Sequence, residues 1–91
     1  MITVSITVSG IVQGVFFRKF TQQTAERLHL NGFVRNNADG SVYIEAQGNA
    51  ENIEAFKTWC KKGPDAARVE TIIIHEITPG NYSGFEIRRT Q

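Results

Sequence analysis

The segment "ITVSITVSGIVQGVFFRKF", residues 2–20, changes its hydrophobic period half way along, and this change decides the fold. Up to Ser9, apolar residues alternate with Thr and Ser, which predicts a strand with one buried and one polar face. From Phe17, the apolar residues follow helical spacing. Gly10 and Gly14 separate the two halves. The segment therefore predicts a strand, a glycine-containing turn and a helix.

The helix is predicted to end at Asn31-Gly32, a strong breaker pair. On the side that faces the core we expect Phe17, Phe20, Thr24, Ala25 and Leu28. Two short strands follow, in "FVRN" and "SVYIEAQG", and residues 37–40 supply a hairpin turn between them.

A second helix is predicted to begin at the N-cap residue Asn49 and to end at Gly63-Pro64. Its expected apolar stripe consists of Ile53, Phe56, Trp59 and Cys60. The segment "RVETIIIHEI" has a continuously apolar centre, which predicts a strand in a protected position. The segment "GFEIRR" predicts a short final strand.

The order of these elements predicts an α+β fold, the ferredoxin-like βαββαβ sandwich, with one short extra strand at the C-terminal end. Its sheet would be mainly antiparallel, with two helices on one face. The Thr and Ser residues of the first strand would line the open face. With 91 residues in the chain, we expect a single domain over residues 1–91.

Composition excludes several classes of protein. Ten Lys and Arg against nine Asp and Glu give a net charge of +1, which argues against a binder of nucleic-acid backbones. No apolar run approaches the ~18–20 residues of a membrane span, and the alternating start is unlike a signal peptide. The lone Cys60 favours a reducing cytoplasm. His29 and His75 stand alone, so no metal site is predicted.

Arg18 is the first charged side chain, and it follows the glycine-containing turn directly. Loop N–H groups and a helix N-terminus together attract anions. A cation in the first turn opposes the helix dipole by about 0.3–1 kcal/mol, and a bound dianion would offset this. The planar guanidinium fits two phosphate oxygens. Spacing alone leaves open the alternative of an ordinary turn followed by a solvated arginine. The loop matches neither a Walker motif nor a dinucleotide fingerprint.

Asn36 lies near the end of the second predicted strand. Alternation places Phe33 and Arg35 on one face and Val34 and Asn36 on the other. A primary amide both donates and accepts hydrogen bonds, so Asn36 is a candidate for holding a water molecule. The alternative, that Asn36 and Asn37 simply belong to the turn, stays open here.

Two extended motifs resemble the signatures of the acylphosphatase family. The first reads Val8-x-Gly10-x-Val12-Gln13-Gly14-Val15-x-Phe17-Arg18. The second reads Gly32-Phe33-Val34-Arg35-Asn36, followed by Gly40-x-Val42 and Gly48. The stretch Lys62-Gly63-Pro64-x-x-Ala67-x-Val69 is also similar to the family, and the similarity covers nearly the whole chain. Ile11 and His29 depart from the pattern, at places often taken by a basic residue and a glycine.

This resemblance implies a hydrolase that splits the carboxyl–phosphate bond of acyl phosphates into carboxylate and inorganic phosphate, without metal or cofactor. Arg18 and Asn36 would be catalytic: Arg18 would bind the phosphoryl group together with backbone N–H groups of the loop from Gly10 to Phe17, and Asn36 would position the attacking water. The substrate-binding residues would be Gln13, Gly14, Val15, Phe16, Phe17 and Arg18. The expected partners are a small acyl phosphate and inorganic phosphate as product and inhibitor, with no nucleic acid or membrane. A cytoplasmic monomer is expected.

The residue types in the two motifs fit such chemistry. They offer no Cys, Ser–His pair, Asp or Glu as an obvious nucleophile or base, so a covalent route has no evident participant. Carboxylate is a good leaving group, and phosphoryl transfer depends mainly on positioning and charge neutralisation. Thr21 is a candidate for bracing the loop.

Two rival functions remain open at this point. One is an RNA-binding or other non-catalytic module; the neutral charge and the lack of an aromatic-rich strand face argue against it, since Tyr43 and Tyr82 alone make no stacking platform. The other is an accessory module of a larger carbamoyl-transfer protein. The chain ends at Gln91 without such a partner domain, which favours a free-standing enzyme.

Overall fold

The computed structural model describes all 91 residues and contains two helices and one five-stranded sheet. The strands are β1 (Ile2–Ile11), β2 (Asn31–Asn36), β3 (Val42–Gly48), β4 (Arg68–Glu76) and β5 (Phe85–Ile87). The helices are α1 (Phe17–Arg27) and α2 (Ala50–Lys62). Strand order is β4-β1-β3-β2-β5, and only the β2–β5 pair is parallel. The predicted ferredoxin-like α+β fold is confirmed, including the short extra strand.

The core lies between the sheet and the two helices. The apolar side chains of β1 with period two, Val4, Ile6 and Val8, are almost completely buried there. Helix α2 contributes Ile53, Phe56 and Cys60, as its sequence predicts. Its N-cap is also confirmed, because Oδ1 of Asn49 accepts a hydrogen bond of 2.8 Å from the N–H group of Asn52. Neither helix is long and apolar enough to cross a membrane.

Helix α1 ends earlier than predicted. Its last residue is Arg27 rather than a residue next to the Asn31-Gly32 pair, because His29 adopts the left-handed conformation with φ 56° and Asn31 already begins β2.

The buried side of α1 also differs from the prediction. Phe20 is 44% exposed, whereas the neighbouring Thr21 is fully buried. A threonine is tolerated in the core because its hydroxyl donates a hydrogen bond of 2.7 Å to the carbonyl of Phe17, one turn earlier in the helix. Thr21 therefore braces the first turn of α1 from inside the core.

The prediction of a protected position for β4 is wrong. β4 forms one edge of the sheet, paired only with β1. Ile72 and Ile74 pack against the core on one face, but Ile73 points to the opposite face and is 53% exposed. Ile72 and Ile74 thus form the buried face of β4, whereas Ile73, which lies between them, is at the surface of an edge strand.

The open face of the sheet carries more aromatic residues than the sequence suggested. Phe33 on β2 packs against Tyr43 on β3 and against Tyr82, with ring centroids 6.0 and 6.3 Å apart. Both tyrosine hydroxyls donate hydrogen bonds of 2.6 Å to the carboxylate of Glu45. Burial and this carboxylate raise the pKa of Tyr43 to about 12 and also raise that of Tyr82.

Guanidinium groups lie over two of these rings, so neither of the two offers a free stacking surface. The guanidinium of Arg88 lies 3.9 Å from the ring centre of Phe33, and that of Arg35 lies 4.5 Å from the ring of Tyr43. Thr3 of β1 does face this side, as predicted, but it is buried and its hydroxyl donates a hydrogen bond of 2.6 Å to Gln47.

Candidate active site

A cavity of about 410 Å³ opens between the β1–α1 loop and the end of β2. Its wall combines apolar and polar groups, but contains no carboxylate, imidazole, thiol or hydroxyl group. The lining residues are Val12, Gln13, Gly14, Phe16, Phe17, Arg18, Lys19, Asn36 and Ile87. The polar side chains are two cations, Arg18 and Lys19, and two amides, Gln13 and Asn36. Because the cations only donate hydrogen bonds and no acid is present, the cavity suits an anionic ligand better than a cationic one.

The β1–α1 loop, residues 12–16, has two residues in the left-handed region of backbone space. Gly14 has φ 75°, which costs a glycine little. Phe16 has φ 60° and ψ 25° at the N-cap of α1, and its side chain is 75% exposed. A non-glycine residue in this conformation costs about 1–3 kcal/mol, and such strain concentrates at functional sites.

The backbone N–H groups of this region have no acceptor in the protein. No N–H group of residues 13–19 donates a hydrogen bond to a backbone carbonyl or to a side chain. Helix α1 has no side-chain cap and no acidic residue in its first turn. The loop and the helix N-terminus thus present several free donors and a partial positive charge to the same space.

Arg18 adds a full positive charge at the same place. Its side chain is half-buried, lines the cavity, and makes neither an ion pair nor a hydrogen bond within the protein. Lys19, the next residue, is exposed and also lines the cavity. An unpaired, partly desolvated guanidinium beside free N–H donors is the arrangement that a phosphate group would complete.

Asn36 enters the cavity from the end of β2. Its Oδ1 atom is buried and has no hydrogen-bond donor in the protein. Its backbone is held on both sides, by the ladder to Val42 of β3 and by the N–H group of Gln91, which donates a hydrogen bond of 3.0 Å to the Asn36 carbonyl. Leaving a buried acceptor unpaired costs about 1–3 kcal/mol, so this oxygen calls for a water molecule or a ligand.

The structure places most of the predicted site residues together. Arg18, Asn36, Gly14, Phe16 and Phe17 all line the cavity, as does Gln13. Val15 does not, because its side chain packs against the core. The predicted face of Asn36 is correct: Val34 is buried under the helices and Asn36 lies on the same side of β2.

Gly10 has a different role from the one expected. It belongs to β1, at a β-bulge in the pairing with β4, rather than to the loop that carries the free N–H groups. Its φ is +130°, and a Cβ atom at this position would clash with the carbonyl oxygen of Arg68. Gly10 therefore allows two strands to approach closely, and the proposed anion-binding loop begins after it.

Sequence reasoning missed Val12, Lys19 and Ile87 as lining residues. Lys19 had a detectable signal, since it follows Arg18 in the same exposed first helical turn. Ile87 had none, because its place beside the cavity depends on the parallel pairing of β5 with β2. No three His, Cys, Asp or Glu side chains lie close enough together to hold a metal ion.

Three comparisons with known proteins agree on one family. The acylphosphatase family model matches residues 4–87. An acylphosphatase from Thiobacillus denitrificans is 47% identical over 88 residues, which are 97% of this chain and 98% of that protein. The solved structure of an acylphosphatase from Coxiella burnetii has a TM-score of 0.92 and 39% identity, over 96% of this chain and 92% of that one.

A likeness also exists to part of a much longer protein. The crystal structure of full-length HypF in its phosphate- and nucleotide-bound form matches with a TM-score of 0.90 and 34% identity. The match covers 98% of this chain but only 12% of the HypF chain. The same fold therefore occurs both in proteins of this length and as one part of a much longer chain.

Proposed function

The chain belongs to the acylphosphatase family, and from that premise we propose that residues 13–18 bind the phosphoryl group of an acyl phosphate while Asn36 positions the water that attacks it. The protein is a hydrolase that acts on acyl phosphates. The single observation that carries the residue assignment is the cavity in which unpaired donors of the loop, the unpaired Arg18 and the unpaired Oδ1 of Asn36 meet.

The phosphoryl group lies at the N-terminus of α1 in this proposal. Free N–H groups of the loop donate to the non-bridging oxygens of the phosphoryl group. The planar guanidinium of Arg18 donates to two of these oxygens. These donors already face the cavity before the substrate binds, so the protein needs little reorganisation as charge shifts during transfer. The binding energy also offsets the strain of Phe16 and the unfavourable position of Arg18 at a helix N-terminus.

The attacking water donates a hydrogen bond to Oδ1 of Asn36, the buried acceptor without a protein partner. This contact turns a lone pair of the water oxygen towards phosphorus. The new P–O bond forms as the bond between phosphorus and the bridging oxygen breaks, and that oxygen leaves with the carboxylate. Positioning of this kind accounts for a large part of the rate in phosphoryl transfer.

Proton movement needs no protein base in this scheme. The cavity has no carboxylate or imidazole to accept the proton of the water. A phosphoryl oxygen of the substrate accepts it, and the products are a carboxylate and protonated inorganic phosphate. A carboxylate leaving group, with a conjugate acid of pKa ~4, needs no general acid either.

The test is a comparison of two substrates with the same phosphate and different leaving groups. We expect the protein to release inorganic phosphate from benzoyl phosphate and to leave phenyl phosphate intact, since phenol has a pKa of ~10 and the cavity offers no acid. EDTA should leave the rate unchanged. Efficient hydrolysis of phenyl phosphate, or a loss with EDTA that magnesium restores, would contradict the proposed mechanism.

Three further properties belong to the proposal. We propose that the enzyme works as a monomer, since all groups assigned to the reaction come from one chain and a second copy is not required. Inorganic phosphate, the product, inhibits it by occupying the loop. The location is the cytoplasm, which suits the buried free thiol of Cys60.

A further inference from the structure

The side chain of Gln13 lines the cavity, but its amide group is engaged elsewhere. Its Nε2 atom donates one hydrogen bond of 2.8 Å to the carbonyl of Asn37 and another of 2.9 Å to the carbonyl of Ser41. An NH₂ group has two hydrogens, so both of its donors are used. Two carbonyl acceptors also fix the orientation of the amide, because Oε1 facing them would repel.

Both acceptors belong to the turn between β2 and β3, and that turn has several internal hydrogen bonds. The N–H group of Asn37 donates to the carbonyl of Ser41 (2.8 Å), and the Asn37 side chain donates to the Ser41 hydroxyl (2.9 Å). The Ser41 hydroxyl and N–H group both donate to Oδ1 of Asp39, at 2.6 and 2.9 Å. Gln13 therefore bonds to a turn that is itself held by a hydrogen-bond network.

The turn begins immediately after Asn36, and the last ladder pair of the hairpin joins Asn36 to Val42, the residue after Ser41. Gln13, in turn, immediately precedes Gly14 in the loop with free N–H groups. No backbone hydrogen bond joins residues 12–15 to that turn. The amide of Gln13 is thus the hydrogen-bonded link between the loop and the hairpin that carries Asn36.

We propose that Gln13 is a positioning residue: its amide does not bind the phosphate but sets the distance between the phosphate-binding loop and Asn36. This inference rests on the proposed function and changes the role first expected for Gln13, a contact with substrate. An in-line attack requires the phosphorus and the water to be placed within a fraction of an ångström, and they are held by two separate parts of the chain.

A double-mutant cycle tests this proposal. Gln13→Met keeps the length of the side chain and removes both donors; we expect kcat for benzoyl phosphate to fall about tenfold or more, with inhibition by inorganic phosphate changed less than about threefold. In an Asn36→Ala background the same substitution should cost less than about threefold, because the water is already misplaced. Gln22→Met is the matched control: it also removes a Gln-to-carbonyl hydrogen bond, to Phe85, but outside the cavity.

Other outcomes would overturn the proposal. If phosphate inhibition weakens in parallel with kcat and the losses multiply in the double variant, then Gln13 contacts the substrate. If Gln13→Met and Gln22→Met lower the melting temperature and kcat alike, then the hydrogen bonds are only structural.

An NMR titration of the wild-type protein with inorganic phosphate needs no folded variant and no turnover. The Gln13 side-chain NH₂ signals should stay in place while backbone N–H signals of residues 14–18 move. A movement of the NH₂ signals as large as theirs would overturn the positioning role. Failure of wild type to hydrolyse benzoyl phosphate would contradict the proposed function, whereas the NMR titration tests the role of the Gln13 amide separately, because it requires only that phosphate binds.

Discussion

Arg18 and Asn36 line one cavity from two separate elements, α1 and β2, and each brings a group that the protein leaves unpaired. The guanidinium has no anionic partner, and Oδ1 of Asn36 has no donor. An acyl phosphate together with a water molecule satisfies both, since phosphate oxygens accept from Arg18 and the water donates to Asn36.

Asn36→Ala should lower kcat by about 100-fold, because the attacking water loses the acceptor that orients it. Inhibition by inorganic phosphate should change little, since the loop and Arg18 remain. Steady-state kinetics with benzoyl phosphate and phosphate as competitor measure both. Asn31→Ala, an exposed position at the start of the same strand, serves as the control. A parallel loss of phosphate inhibition would instead make Asn36 a binding residue.

Arg18→Ala should lower turnover roughly 100-fold or more, because it removes a charge-assisted contact that holds the phosphoryl group during transfer. Arg18→Lys should recover little, since an ammonium group cannot make the two-pronged contact. Without anion, thermal melting of Arg18→Ala should equal wild type or exceed it slightly, because a cation leaves a helix N-terminus. A variant that melts far below wild type without anion would mean that Arg18 is structural.

Gly10→Ala should destabilise the fold. The added Cβ would clash with the carbonyl of Arg68 at the bulge between β1 and β4, and φ is +130°. Such strain costs about 1–3 kcal/mol, which in a chain of this size lowers Tm by roughly 4–20 °C. Gly84→Ala is the comparison by calorimetry, because Gly84 shares a positive φ (+68°) but no atom lies near the added Cβ, so the difference between the two variants reports the clash at Gly10. Equal melting temperatures for the two variants would contradict the close approach at Gly10.

The tyrosine pair on the open face predicts a loss of stability at alkaline pH. Burial and Glu45 raise the pKa of Tyr43 to about 12, above its unfolded value of ~10, and raise that of Tyr82. Stabilisation by the neutral phenols is therefore complete below pH ~10 and is lost as pH rises towards 12. Urea midpoints should fall over this interval in wild type and fall less in the double variant Tyr43→Phe/Tyr82→Phe. Identical slopes would contradict the assignment.

Sequence periodicity predicted those parts of the fold that depend on the local alternation of apolar and polar residues. The alternation in β1 was enough to place Val4, Ile6 and Val8 in the core, and alternation alone assigned Asn36 to the correct face. These predictions succeed because a strand puts neighbouring side chains on opposite faces whatever its partners are.

The errors concern properties that depend on partners far away in the chain. Hydropathy favours Phe20 over Thr21 for the core, but the hydroxyl of Thr21 donates its hydrogen bond within the helix and can be buried, whereas Phe20 is 44% exposed. The apolar run of β4 does not reveal that the strand lies at an edge. The hydrogen bonds of the Gln13 amide could not be predicted either, because their acceptors lie 24 and 28 residues away in the chain.

A ¹H,¹⁵N NMR titration with inorganic phosphate, followed at every backbone N–H group, tests most directly whether the β1–α1 loop and Arg18 bind the phosphoryl group. We expect saturable downfield shifts concentrated in residues 14–18, whose N–H groups have no acceptor in the protein, and loss of these shifts in Arg18→Ala. Shifts centred on another part of the surface, or an unchanged titration in Arg18→Ala, would contradict this assignment.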